Sequence, residues 1–293
     1  WQLDFKMGIA LEDHSLANLH TVCDPVGAAC LQGRVTAAGT VGHRPRAVRL
    51  DELQETLRQA FALWGTRPLA IQTDGEGIFA GNPQEHQPAY FTLWLLGLGI
   101  AHRIIRPGKP TDNGAVERWN QTLNAYAVVG NEHLPLPALQ DQLELAVYEL
   151  ALALPSAGHG CEHRPPVVAH PELLAGPRPY HRNTELENFD LAAVDAYLAT
   201  FTWQRTVSKT GQVSVGGHHM YYSVGRQYAG QLVQVRFDPN DRYFVFATLP
   251  DKPHQPTHEL ARRPAQGFSA QDICNLPTVS KAARIRATRS RTR

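Results

Sequence analysis

The chain has 293 residues, with 28 Lys or Arg against 27 Asp or Glu for a formal net charge of +1, and 43% of it is hydrophobic. That length exceeds one typical domain and that apolar fraction supports a sizeable core, which excludes a disordered or fibrous chain. The longest apolar run, Phe91 to Ile100, is broken by Gly97 and Gly99 and is far short of the ~20 residues of a membrane span. No membrane partner is expected, and no targeting segment is legible.

In chain order, Leu3 and Phe5 flank Asp4 in strand-like alternation, and strand-like runs follow at Leu19 to Cys23 and Ala28 to Thr36. A helical pattern covers Leu50 to Trp64. Leu69, Ala70 and Ile71 then form a short apolar run ending at Asp74-Gly75, so Asp74, like Asp4, is placed where a strand meets solvent. A helical run over Pro88 to Leu98 and a strand over Ile100 to Ile105 complete a mixed sheet flanked by helices, an α/β arrangement.

The next helix starts with Asp112 or Asn113 as cap and Gly114 at its entry, and its periodicity runs through Val129. Helical spacing puts Val116, Trp119, Leu123 and Tyr126 on an apolar stripe, and Glu117, Asn120, Gln121 and Asn124 on a polar face. One acid on a helix is ordinarily solvated surface. Two acids at strand positions and a third in a helix's first turn can instead share two divalent cations for phosphoryl transfer. Arg103, Arg106, Lys109 and Arg118 surround Glu117. Lys109 and Arg118, then Arg106, Asn120, Gln121 and Asn124, are the expected DNA contacts.

A second apolar helical run, Leu136 to Leu154, closes a first unit over 1–154. Residues 155–200 read as a Pro-rich linker with a short helix over Asp190 to Leu198. Short strands at Thr202 to Val207, Gln212 to Val215, His219 to Val224, Leu232 to Phe237 and Tyr243 to Leu249 predict a small all-β barrel over 201–250. Its Arg205, Lys209, Arg226 and Arg236 are expected to be exposed and to meet phosphates. The tail, 251–293, ends in Lys281, Arg284, Arg286, Arg289, Arg291 and Arg293 with no acid after Ser280. Removing those six charges takes the remainder from +1 to −5. Such a tail binds phosphates without reading sequence and is expected to be disordered at its end. His159-Gly-Cys-Glu-His163 lacks the separated second ligand pair of a zinc site. The four scattered cysteines, Cys23, Cys30, Cys161 and Cys274, suit a reducing compartment.

Trp1 to Lys6, Gln72-Thr-Asp-Gly75 and Gly108-Lys-Pro-Thr-Asp-Asn-Gly-Ala-Val-Glu-Arg-Trp-Asn-Gln-Thr-Leu123 resemble the catalytic core of DDE-type transposases and integrases, as in bacterial insertion-sequence transposases and retroviral integrases. The resemblance covers roughly the first half of the chain. It implies a ribonuclease H-like fold, with Asp4, Asp74 and Glu117 as catalytic residues and metal ligands. It also implies two Mg2+ or Mn2+ ions per site and DNA cleavage and strand transfer at transposon ends by a homo-oligomer. The expected location is the bacterial cytoplasm, at the nucleoid. Arg205-Thr-Val, Gly211-Gln-Val-Ser-Val, Tyr221-Tyr-Ser-Val and Gly230-Gln-Leu-Val-Gln-Val resemble the small C-terminal barrel of Mu-like and insertion-sequence transposases.

The chain departs from the family pattern by extra length between Asp74 and Glu117, expected in the loop around Ala80 to Gln87, and by Glu76, expected to point outward. Members usually carry an end-binding region upstream, and this chain begins at Trp1, which leaves open whether it is a fragment lacking that region. The same acids would also serve a ribonuclease H-like nuclease that cuts without joining, and a DNA-binding descendant without catalysis is the other alternative.

Overall fold

A computed structural model describes residues 1–81, 88–106, 108–215, 220–249 and 256–276. The first unit begins with an antiparallel meander, β1 (Gln2–Ala10), β2 (Ser15–Asp24) and β3 (Ala29–Thr40). Helix α1 (Leu50–Leu63) leads to β4 (Ala70–Thr73), followed by a short α2 (Gly77–Ala80), α3 (Tyr90–Gly97) and β5 (Ala101–Ile104). β4 pairs in parallel with β1, and β5 in parallel with β4. The five-stranded sheet therefore has the order β3-β2-β1-β4-β5. This is the mixed sheet flanked by helices that the sequence pattern predicts.

Alternation along the strands splits their side chains between two layers. Leu3, Val22 and Leu31 pack with Leu53, Leu57 and Phe61 of α1 and with Trp94 of α3. On the other face, Leu19 and Val35 pack with Leu123, Leu139 and Leu143, from α4 (Gly114–Leu123) and α5 (Leu136–Tyr148). β2 is accordingly buried along nearly its whole length.

The helix carrying Glu117 departs from its expected register. After Leu123 it widens into a π turn over Asn124–Val128. The added residue brings Ala127 and Val128 into the core and turns Tyr126, expected on the apolar stripe, outward to 47% exposure, where its hydroxyl donates to Glu149 Oε2 at 2.8 Å. Asn120, expected on the polar face, is 7% exposed.

The Pro-rich segment is tied to the first unit. Arg178 donates to the carbonyls of Pro68 and Gly99, each at 2.7 Å, and α6 (Pro166–Ala169) buries Val167. After α7 (Leu191–Leu198) come, among the described residues, six strands, β6 (Thr202–Thr206), β7 (Gln212–Ser214), β8 (Tyr221–Ser223), β9 (Leu232–Asp238), β10 (Tyr243–Thr248) and β11 (Glu259–Pro264), then α8 (Ala270–Cys274). The five expected strands form, and β11 joins them from the stretch read as tail. Among the described residues their backbone ladders make a four-stranded sheet, β11-β10-β9-β6, and a separate β7-β8 ribbon rather than one closed barrel. Side chains bridge the gap: Arg263 Nε donates to the Ser223 carbonyl at 2.9 Å and Arg205 Nε to the Ser214 carbonyl at 3.3 Å. Arg205, expected on the surface, is thus half-buried in the fold, whereas Lys209, Arg226 and Arg236 are exposed. The Gly216-Gly217 turn, His219, most of the Ala80 to Gln87 loop and the basic tail lie outside the described residues.

A buried ion pair locks the halves together. Glu185 accepts from Arg58 Nε at 2.9 Å, Arg58 Nη2 at 2.7 Å, Trp94 Nε1 at 3.0 Å and the Tyr180 hydroxyl at 2.6 Å. Arg58 Nη2 also donates to the Cys274 carbonyl at 2.6 Å. Burial pushes the Glu185 carboxyl up, but the Arg58 hydrogen bonds and charge outweigh it and hold the group below its ordinary range. Removing one member strands a buried charge, so Glu185→Leu is expected to cost about 3–5 kcal/mol of stability. A lowered urea midpoint is the readout, and an unchanged midpoint contradicts the lock.

Candidate active site

Gln2 of β1 lies opposite Gln72 of β4 in the parallel pair. Asp4 and Asp74 each follow two residues later, so the pairing sets the two acids on neighbouring lines of the sheet. The helix bearing the third acid is fastened to the same two glutamines. Gln2 Oε1 accepts from the Val116 amide at 3.1 Å. Gln2 Nε2 and Gln72 Nε2 donate to the Asp112 carbonyl at 3.2 and 2.6 Å. The orphan amide of the first helical turn is thereby satisfied from the sheet. The expected side-chain cap is absent: Asn113 occupies the cap position without a capping bond, and the Asp112 carboxylate takes two 2.8 Å bonds from Arg106 instead. Glu117 follows Val116 directly and is exposed.

The electrostatics put the acids in one neighbourhood. Asp4 is pushed up to about 6, first by burial and then by the charges of Asp74, Glu117 and Glu76. Glu76 points outward as expected, yet burial and the Asp74 charge raise its carboxyl too. Its backbone amide donates to Asp74 Oδ1 at 3.0 Å, folding the turn onto that carboxylate. Asn120 Nδ2 donates to Asp4 Oδ2 at 2.7 Å, while Asn120 Oδ1 is buried without a partner. Asn120, one helical turn after Glu117, therefore faces Asp4 and orients it.

Of the other expected contacts, Lys109, Arg118 and Gln121 are exposed, as is Arg103. Asn124 accepts from Lys6 Nζ at 3.2 Å, which adds a cation that the sequence reading did not include. Gln2 and Gln72 were missed as well. Their signal was only that each precedes an acid by two residues, the spacing that sets both on the same strand face.

Among the described residues, no three His, Cys, Asp or Glu side chains converge closely enough to hold one metal ion. The three acids are neighbours without being a closed cage. The donor chemistry nevertheless fits a hard divalent cation, since all the donors are carboxylate oxygens. Mutual repulsion at Asp4 is also the field that a cation relieves. No helix among the described residues is long and apolar enough to cross a membrane.

No protein-family model and no curated protein matches the chain. Among solved structures it is similar to a chain of the simian T-cell lymphotropic virus intasome in complex with PP2A regulatory subunit B56 gamma, at 16% identity over 89% of this chain and 74% of that one, with a TM-score of 0.43. It is similar to the HTLV-2 integrase catalytic core domain in complex with magnesium, in its trimeric form, at 19% identity over 58% and 94%, with a TM-score of 0.41. For the catalytic core domain of BIV integrase the identity is 14% over 59% and 93%, with a TM-score of 0.34.

The raised Asp4 carboxyl has a signed consequence. A carboxyl whose folded pKa lies above its unfolded value lowers stability once ionised, so the penalty grows as pH rises from about 4 through about 6. Asp4→Asn is therefore expected to be more stable than the parent at pH 8 without divalent cations, with the difference vanishing below pH ~4. Thermal melts across that range check it, and equal stability at pH 8 contradicts the electrostatic picture.

Proposed function

We propose that the chain is a DDE-type DNA strand transferase, a transposase or integrase that cuts at the end of a mobile element and joins that end to target DNA. The observation that carries this reading is that β1, the end of β4 and the first turn of α4 carry Asp4, Asp74 and Glu117 as neighbours, with Asp4 raised first by burial and then by the charges of the other two. Asp4, Asp74 and Glu117 would hold two Mg2+ or Mn2+ ions. When bound, such ions activate a water or 3′-hydroxyl and stabilise the leaving 3′-oxygen.

The chain's own groups do the positioning. Asn120 fixes the Asp4 carboxylate, and Gln2 and Gln72 fix the start of α4, so the Glu117 backbone is set relative to the sheet. Lys109 and Arg118 meet phosphates beside the acids, with Gln121 and Asn124 on the adjoining helix surface and Arg106 bracing the Asp112 turn. No protein nucleophile is needed, which separates this chemistry from recombinases that attack phosphate through a side-chain hydroxyl. Joining paired ends calls for at least two copies of the chain.

Strand transfer of a labelled oligonucleotide with a pre-cut 3′ end into plasmid tests the reading, in Mg2+ or Mn2+. The parent is expected to join and Asp74→Asn to lose about a hundredfold or more while still binding DNA. Cutting without joining by the parent supports the nuclease alternative, and equal activity of the two proteins refutes the site.

A further inference from the structure

The turn that presents Asp74 is bracketed by two backbone carbonyls, those of Asp74 and Phe79, and both are reached from one imidazole. His102 of β5 lies half-buried, with Nε2 2.9 Å from Thr73 Oγ1 and Nδ1 2.9 Å from Thr92 Oγ1. Thr73 Oγ1 lies 3.1 Å from the Asp74 carbonyl, and Thr92 Oγ1 lies 3.2 Å from the Phe79 carbonyl. The ring packs edge-on against Phe91 at 5.3 Å. Four elements meet there: β4 through Thr73, β5 through His102, α3 through Thr92, and α2 through Phe79.

The proton count fixes how this relay works. A neutral imidazole donates from one nitrogen and accepts at the other, and each hydroxyl has one hydrogen. With the hydrogen on Nε2, Thr92 donates to Nδ1, His102 donates to Thr73, and Thr73 donates to the Asp74 carbonyl. With the hydrogen on Nδ1, the chain reverses and ends on the Phe79 carbonyl. Burial keeps the ring in this neutral form by lowering its pKa to about 4. Either tautomer ties one end of the turn directly. The turn needs such support, because a helix as short as α2, four residues long, does not hold itself. Since Asp74 Oδ1 is bound to the Glu76 amide within that turn, the direction of the carboxylate follows the direction of the turn.

We propose that His102 is a positioning residue for Asp74, clipping the 74–79 turn through Thr73 and Thr92 so that the Asp74 carboxylate is presented in a fixed orientation to a divalent cation. The inference rests on the proposed role of Asp74 as a metal ligand, and it adds a supporting layer for that ligand supplied by β5 and α3.

Two variants separate polarity from packing. His102→Phe keeps a ring against Phe91 and removes both hydrogen bonds, whereas His102→Gln retains one donor and one acceptor. Two readouts apply, both without DNA: amide hydrogen exchange at Glu76 and Phe79 in metal-free protein, and Mn2+ affinity by calorimetry, with Asp74→Asn alongside. His102→Phe is expected to speed exchange at both amides and to weaken Mn2+ binding, each about tenfold, while His102→Gln stays within about threefold of the parent. Exchange in α1 is expected to be unchanged, which reports that the fold is intact. Should His102→Phe loosen α1 as well, Thr92→Val cuts the relay at its far end and is read in the same way. Parent-like exchange at Glu76 and Phe79 in a folded relay variant overturns the proposal. Parent-like Mn2+ binding by Asp74→Asn overturns the ligand assignment instead, and the exchange readout then still decides whether the relay fixes the turn.

Discussion

The site depends on one junction, the parallel pairing of Gln2 with Gln72 and the grip of their side-chain amides on the start of α4. Backbone bonds make the pairing, with the Trp1 amino group donating to the Ala70 carbonyl at 2.8 Å and the Gln72 amide to the Trp1 carbonyl at 2.9 Å. Side-chain bonds then fasten Asp112 and Val116, so three segments far apart in sequence acquire a common frame. Each bond contributes only about 1 kcal/mol net. Their importance is geometric: without them the helix could slide over the sheet, and Glu117 would lose its fixed relation to Asp4 and Asp74.

That frame works against electrostatics. Burial, and after it the neighbouring carboxylates, raise Asp4 to about 6, a destabilisation that the site itself does not relieve. The remainder of the molecule offsets it through a continuous apolar cluster running from Leu3 and Ile71 through Phe61 and Trp94 to Val235 and Phe244 in the C-terminal sheet. The Arg58–Glu185 pair sits at the seam of that cluster, where α1, α3, the Pro-rich segment and α8 meet. The C-terminal half thus packs against the frame that carries the acids and presents exposed cations such as Arg236 and Lys209.

The central sheet was legible in the sequence because apolar residues alternate around Asp4 and a short apolar run leads to Asp74; Asp74 does follow the end of β4, whereas Asp4 lies inside β1, paired with Thr21. Glu117 was legible because Gly114 and the following periodicity mark a helix start. What escaped the sequence were features decided by tertiary context. The π turn after Leu123 leaves no local signature, so Tyr126 was placed on the wrong side. Asn120 reads as polar surface, and only its bond to Asp4 makes burial tolerable. β11, with the sequence Glu-Leu-Ala-Arg-Arg-Pro, lacks an apolar period and is a strand because β10 offers it a free edge. In the region expected to be a barrel, β7 and β8 are three residues each as described, and arginine side chains span the gaps between their ribbon and the four-stranded sheet. The roles of Gln2 and Gln72 could not be read from a polar residue two places before an acid.

The central claim is that Asp4, Asp74 and Glu117, carried by three elements, form one cation-holding centre. Anomalous diffraction from crystals of this protein soaked in Mn2+ tests it most directly. The account predicts manganese peaks ligated by the carboxylates of Asp4, Asp74 and Glu117, with Asn120 still bonded to Asp4. Manganese bound only at other carboxylates, or no peak at these three at millimolar Mn2+, would contradict it.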